Sequence, residues 1–300
     1  MEYYKQIHAE PVWRQGWTGR GVGIALLDTG CAFHPDLEGR VRKFMDFVHP
    51  FSSSTCYDDN GHGTHIAGIL AGNGRMSGGR YRGMAPEAEL TVLKVLDRQG
   101  GGCIMDMVRA LQWLSLYAGQ YGIRIVNISV GGTGQENAAE NTLLLTEVEC
   151  LWDHGLVVVA AAGNNGPEPG SVTTPGVSRK IITVGCSQAE NYGIFPEVER
   201  AARFSGRGPT EDCVVKPEIL APGSEVVSCC PPTGRRRSWY TVKSGTSMAV
   251  PMVSGAIALL LEKYPVYSNV DVKLKLRESS RPFAGEGQGW GELRVDRLLE

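Results

Sequence analysis

Three short strings in this chain carry residue types that could do covalent chemistry together. They are Asp28-Thr29-Gly30, His62-Gly63-Thr64-His65 and Gly245-Thr246-Ser247-Met248-Ala249. Attack on an amide carbonyl needs an activated hydroxyl, a base to take its proton, and a carboxylate to hold that base in the right tautomer. Asp28, His62 and Ser247 supply these in the order acid, base, nucleophile, and chain order distinguishes unrelated folds that carry the same triad. The reaction also needs donors aimed at the developing oxyanion. Asn164, closing the run Ala160-Ala161-Ala162-Gly163-Asn164, offers a side-chain amide.

Each string has a plainer reading. Asp28 could simply cap a turn, and Asn164 beside Gly163 could favour a left-handed turn. His62 and His65, three apart, could hold a metal, but no Glu of the H-E-x-x-H kind accompanies them. His65 reads instead as a structural residue that hydrogen-bonds locally. His8, His34, His49 and His154 read as surface or structural. Gly61 and Gly63 flank His62, so backbone is expected to approach closely on both sides. Pro251 falls near the start of the helix that follows Ser247, where its missing N–H does least harm.

The elements that must position these groups alternate. Val22–Leu27 is a continuous apolar run ending in a polar turn, which reads as a buried strand with Asp28 at its carboxyl end. Leu90–Leu96, Ile123–Val130, Leu156–Ala162 and Lys180–Gly185 read as further strands. Val214–Leu220 and Ser224–Ser228 read as short extended pieces. Apolar residues recur at helical spacing from His62 onward, through Met105–Tyr121 and through Asn141–His154, where Gly155 gives a C-terminal stop. Thr246–Lys263 reads as a long apolar helix and Val270–Ser279 as a shorter one. Strands interleaved with helices imply an α/β fold, a mostly parallel central sheet with helices on both faces in three layers. No internal repeat and no Pro/Gly/Ser-rich linker divides residues 1–300, so they are expected to form one domain.

The three motifs, and above all Gly-Thr-Ser-Met-Ala-x-Pro, resemble the subtilisin-like serine peptidases over roughly residues 8 to 298. The resemblance implies peptide or protein substrates, acyl transfer by Asp28, His62 and Ser247, and an oxyanion hole made by Asn164 and a backbone N–H. It implies that Ser129-Val130-Gly131-Gly132 lines the cleft and pairs with extended substrate as an added strand. Gly100-Gly101-Gly102 resembles the opposite edge strand. Ser205–Pro209 and Lys216–Gly223 match landmarks expected to be structural. A non-catalytic peptide-binding relative and an esterase or dedicated processing enzyme stand as alternatives.

The chemistry requires no cofactor. Many relatives bind structural Ca2+ through the Asp of His-Pro-Asp-Leu, which makes Asp36 in His34-Pro35-Asp36-Leu37 the metal candidate. Residues 72–83 depart from the family's calcium loop, with Arg75, Arg80 and Arg82 and no carboxylate, whereas a hard cation wants several anionic oxygens.

Composition narrows the rest. Hydrophobic content of 42% and charged content of 21% suit a globular domain with a substantial core. A net charge of −2 leaves no basic field for nucleic acid or an anionic membrane. The triplet Arg235-Arg236-Arg237 reads as a solvated loop. No apolar run reaches the roughly 18 residues of a membrane span. No pro-segment, C-terminal extension or secretory leader is evident, and Gly78–Ala88 resembles the signal-less branch of bacterial subtilases. The expected location is therefore the cytoplasm, or outside the cell if a leader precedes this sequence. The eight cysteines show no C-x-x-C pair and sit mostly in apolar surroundings, which reads as reduced thiols.

Overall fold

A computed structural model describes residues 2–50, 55–132, 137–187, 204–231, 238–282 and 289–300. Seven strands form one parallel sheet: β1 (Gly23–Asp28), β2 (Val41–Asp46), β3 (Glu89–Lys94), β4 (Ile123–Ile128), β5 (Val157–Ala161), β6 (Ile182–Ser187) and β7 (Ile219–Pro222). Their order is β2-β3-β1-β4-β5-β6-β7. The chain therefore runs outward from β1 in one direction, then returns and builds the other side. β1 stands at this reversal, flanked by β3 and β4. In open α/β sheets the crevice at the carboxyl end of such a strand is where ligands bind. Every residue of β1 is buried, which explains its unbroken aliphatic run.

Eight helices are described: α1 (Glu2–Gln6), α2 (Glu10–Arg14), α3 (His62–Ala71), α4 (Ile104–Tyr117), α5 (Ala138–Asp153), α6 (Thr246–Lys263), α7 (Asn269–Ser279) and α8 (Val295–Leu298). They surround the sheet in the three-layer arrangement expected from the alternating pattern. α3 packs on α6, and α6 lies across β4 to β7; α4 packs on α5. α6 is long and apolar enough to cross a membrane, but most of it is buried inside the protein as a core helix. A two-stranded antiparallel hairpin, β8 (Val226–Cys229) with β9 (Tyr240–Lys243), sits against α3.

The expected strands and helices appear with ends shifted by a few residues, and α6 has the bounds read from the sequence. The pattern reading missed β2, β9, the two N-terminal helices and the short C-terminal helix α8. The triplet Arg235–Arg237 lies outside the described residues. All eight cysteines are free thiols.

Candidate active site

β1 delivers Asp28, fully buried, to the crevice. Its Oδ1 accepts from the Thr29 N–H at 2.8 Å and lies 2.7 Å from His62 Nδ1. That bond assigns the Nδ1 proton to the side facing Asp28 and leaves Nε2 as the basic nitrogen. Burial pushes the His62 pKa down, but the charge and hydrogen bond of Asp28 outweigh it and leave it above the ordinary histidine value.

His62 opens α3, and its backbone is held by a hub that the sequence reading did not identify. Asp58 Oδ1 accepts from the Thr29 hydroxyl and from the N–H groups of Asn60 and Gly61; Oδ2 accepts from the Thr64 N–H and hydroxyl. Burial would raise the Asp58 pKa, yet these donors hold it below the usual carboxylate range. The signal was present as Asp58-x-x-Gly61 before a helix, the pattern of an Asx turn. Lys94 is a second unanticipated support. It pairs with Asp28 in the β1–β3 register, and its buried ammonium donates to Thr29 O, Leu96 O and Asp59 Oδ1 at 2.7–2.8 Å.

The two glycines beside His62 serve different ends. A Cβ on Gly63 would collide with the Gly30 carbonyl, so close approach is required there. Gly61 has open space around it but φ +93°, so it is there for its left-handed backbone. His65, on the next turn, faces Val226 O and Thr241 O at 3.1 and 3.2 Å and ties α3 to the hairpin. Burial, then the nearby charges of Lys243 and His62, push its pKa down to about 3. It is a neutral structural residue with no metal partner among the described residues.

Ser247 is half-buried in the first turn of α6, whose amino end contributes positive potential. Asn164 leaves β5 and reaches the same turn. Its Oδ1 accepts from the Thr246 N–H and hydroxyl, both at 3.0 Å. With its oxygen committed there, the amide presents its Nδ2–H donors away from Thr246. A Cβ on Gly245 would lie 3.5 Å from that nitrogen, so the small residue keeps this approach open.

Ser129–Gly132 continue past the last β4–β5 ladder pair, Ile128↔Ala160. Ser129 is buried and accepts from Asn127 Nδ2, whereas Val130 and Gly131 come to the surface. Gly100-Gly101-Gly102 is exposed and stands outside the sheet ladders, just after β3. Gly100 has φ +81°, and the Asp97 carboxylate and carbonyl take up the N–H groups of Gly101 and Gly100. Cys31, three residues after Asp28, is buried, and its N–H donates to Tyr57 O.

Asp36 does not fit calcium. Its Oδ1 accepts from the Met76 N–H at 2.8 Å and its Oδ2 from the Tyr240 hydroxyl at 2.5 Å. The other potential ligands close to it are His34 and Cys229, nitrogen and sulfur where a hard cation wants oxygen. Both His34 nitrogens are engaged as well, Nδ1 by the Asp36 N–H and Nε2 by Trp239 O.

A buried acid–imidazole pair at the crevice of a parallel sheet, together with a serine at a helix start and an amide on the same turn, supplies the parts that a serine hydrolase of α/β architecture needs. Residues 19–291 match the model of the subtilase family, and the chain belongs to that family of serine endopeptidases. It is 40% identical over 294 residues to Serine protease AprX of Bacillus subtilis (strain 168), covering 93% of this chain and 66% of that protein. It is 36% identical over 275 residues to Subtilisin Savinase of Lederbergia lenta, covering 92% and 89%. The solved structure of S41 Psychrophilic Protease superposes with a TM-score of 0.77 at 32% identity, covering 93% of this chain and 92% of that one.

Proposed function

We propose that the chain hydrolyses peptide bonds by acyl transfer. Ser247 Oγ attacks the peptide carbonyl while His62 Nε2 takes its proton. Asp28 holds the imidazole and stabilises the imidazolium that forms. The carbonyl oxygen, now negative, accepts from Asn164 Nδ2 and the Ser247 backbone N–H. His62 returns the proton to the leaving amine, and water then releases the acyl group by the same steps in reverse. The extended substrate lies along Ser129–Gly132, with the Gly100–Gly102 turn bordering the opposite side. Substrates are peptides or proteins, and no cofactor takes part in these steps.

The observation that carries this reading is the 2.7 Å contact between His62 Nδ1 and the buried Asp28 carboxylate. A pair of this kind, kept from water on the acid side and half-open on the imidazole side, serves no evident packing purpose. A fluorophosphonate probe tests it. The expected result is one covalent label, on Ser247, in the parent protein and none in Ser247→Ala, with peptide cleavage lost in the same variant. Folded protein that takes no label would mark the chain as a peptide-binding relative. Labelling with ester but no peptide turnover would favour the esterase reading.

A further inference from the structure

Two thiols meet between the segments that carry the proposed acid and base. Cys31 comes three residues after Asp28, and Cys56 six residues before His62. The Cys31 N–H donates to Tyr57 O at 3.0 Å, and the Cys56 thiol donates to Cys31 O at 3.0 Å. Beside them Gly30 and Asp58 pair as an antiparallel bridge. The two thiols are themselves in side-chain contact. Cys31 is buried and Cys56 half-buried. Neither takes part in the acyl-transfer steps proposed above.

Their surroundings divide the labour of an exchange reaction. The Cys56 thiol beside it, and then burial, hold the Cys31 pKa well above the ordinary thiol value, so Cys31 is the poorer first nucleophile. Cys56 is the thiol of the pair that an oxidant from solvent reaches first, with Cys31 in place to displace what it leaves there. This part of the crevice also has no slack. A Cβ on Gly30 would collide with Tyr57 O, and a Cβ on Gly63 would collide with Gly30 O. Gly30 is thus wedged between the Cys56 segment and the residue that follows His62.

We propose that Cys31 and Cys56 form a redox modification site, which a small aliphatic disulfide converts to an intramolecular disulfide with loss of turnover. The effect on turnover rests on the peptidase reading above; the cross-link does not. Cys56 gives its proton to solvent, and its thiolate attacks one sulfur of the small disulfide. That S–S bond breaks, and one small thiolate leaves. Cys31 then loses its proton to solvent and attacks the Cys56 sulfur, which releases the second small thiolate. Two protein thiols are oxidised, and one small disulfide is reduced to two thiols, each taking up a proton. Cross-linking draws the sulfurs from contact to a bond of about 2 Å and removes the proton that Cys31 O accepts. The wedged Gly30 passes the displacement to Gly63 and so to His62. A shift of about 1 Å can lower a rate by roughly 10²-fold.

The test treats the folded protein with cystamine, after active sites have been counted by fluorophosphonate labelling of a reduced sample. A peptide map without reductant should show the Cys31 and Cys56 peptides joined, two hydrogen atoms lighter than their sum. Turnover of a peptide substrate should fall about tenfold or more and return with dithiothreitol. Cys56→Ser keeps a donor for Cys31 O but cannot cross-link. It should match the parent before treatment and keep its turnover through it, which also controls for the exposed thiols of Cys103 and Cys213. If Cys56→Ser does not fold, Cys31→Ala makes the same comparison. Folded parent that forms no Cys31–Cys56 cross-link would overturn the proposal. So would cross-linked enzyme that turns over at the reduced rate, or an equal loss in the variant. A reduced parent that takes no label would instead defeat the peptidase reading, and the cross-link, read by mass, would still stand or fall by itself.

Discussion

Two aspartate–histidine pairs lie close together in this sequence, and only one joins its carboxylate directly to its ring. In the first, the Asp28 carboxylate meets the His62 ring directly, and the ring is half-exposed. In the second, His34 and Asp36 are both buried, but the ring accepts from the Asp36 backbone N–H and not from its carboxylate. Each carboxylate oxygen and each ring nitrogen of the second pair is already spent on Met76, Tyr240, Trp239 or Asp36 itself. Titration follows the geometry. Asp28 raises the His62 pKa against the effect of burial, while burial lowers that of His34 despite Asp36 nearby. The same residue types thus give an imidazole with one nitrogen left open or a clamp with both engaged, depending on where the bonding capacity is spent.

The largest expected difference between the pairs is in turnover. Asp28→Asn should lower kcat by roughly 10⁴, because the amide stabilises the wrong imidazole tautomer. Asp36→Asn should leave kcat within a few-fold of the parent and act on stability. Steady-state kinetics on labelled enzyme reads both, and equal losses in the two variants would dissolve the distinction. On the oxyanion side, Asn164→Ala should cost roughly 10²–10³ in kcat, a magnitude measured in subtilisin, a member of this same family. That loss should come with little change in KM, since the donor acts mainly on the tetrahedral state.

The pH profile sharpens the contrast within the first pair. The protonated imidazole cannot act as base, so kcat/KM should rise with pH as free His62 loses its proton. Because the pKa is raised, the midpoint of that rise should lie above the ordinary value of about 6.5. Asp28→Asn removes the group that raises it and leaves burial, which acts in the opposite direction. The residual activity of that variant should therefore rise at lower pH than the parent's. A midpoint that does not move would show that Asp28 does not set the charge on His62.

The three proposed catalytic residues stand out in the sequence because each sits at a punctuation point. Asp28 ends an aliphatic strand, His62 starts a helix after Gly61, and Ser247 starts another after Gly245. α6 was legible to the residue, since an apolar run with a clear glycine start admits few alternatives. β2 was not, because its exposed and half-buried positions follow no alternation and Arg42, Lys43 and Asp46 interrupt it. As the last strand on its side of the sheet, it takes its identity from pairing with β3 alone. β9 was hidden likewise, with its identity coming from β8. The Asp58 hub was legible only in its Asx turn with Asn60 and Gly61, while its bond to Thr29 and the three acceptors of Lys94 join segments that no local pattern links. Gly100–Gly102 carried one feature that the glycine run alone did not show. The Asp97 side chain takes the Gly101 N–H and its carbonyl the Gly100 N–H, contacts that the three glycines alone do not reveal.

The smallest effects should fall on the second pair. Tyr240→Phe removes the donor to Asp36 Oδ2 and leaves a buried carboxylate oxygen unpaired. A hydrogen bond to a charged group contributes about 1.5–3 kcal/mol, so thermal unfolding should begin several degrees lower with kcat unchanged. Calcium then separates a clamp from a cation site. A bound ion stabilises by mass action in proportion to its occupancy, so chelation lowers the melting temperature of any protein that depends on it. Here the Tyr240 hydroxyl and the Met76 N–H occupy the oxygens an ion would need, and Arg75 pairs with Glu38 beside them. Excess EDTA should therefore leave the melting curve of the parent where it was. Tyr240→Phe offers the sharper arm, because it frees one oxygen without adding a ligand. If added Ca2+ restores the stability lost in that variant, the pocket can accept a cation, and the tyrosine is a substitute for one. If it does not, the nitrogen and sulfur of His34 and Cys229 exclude a hard ion even with the carboxylate half released.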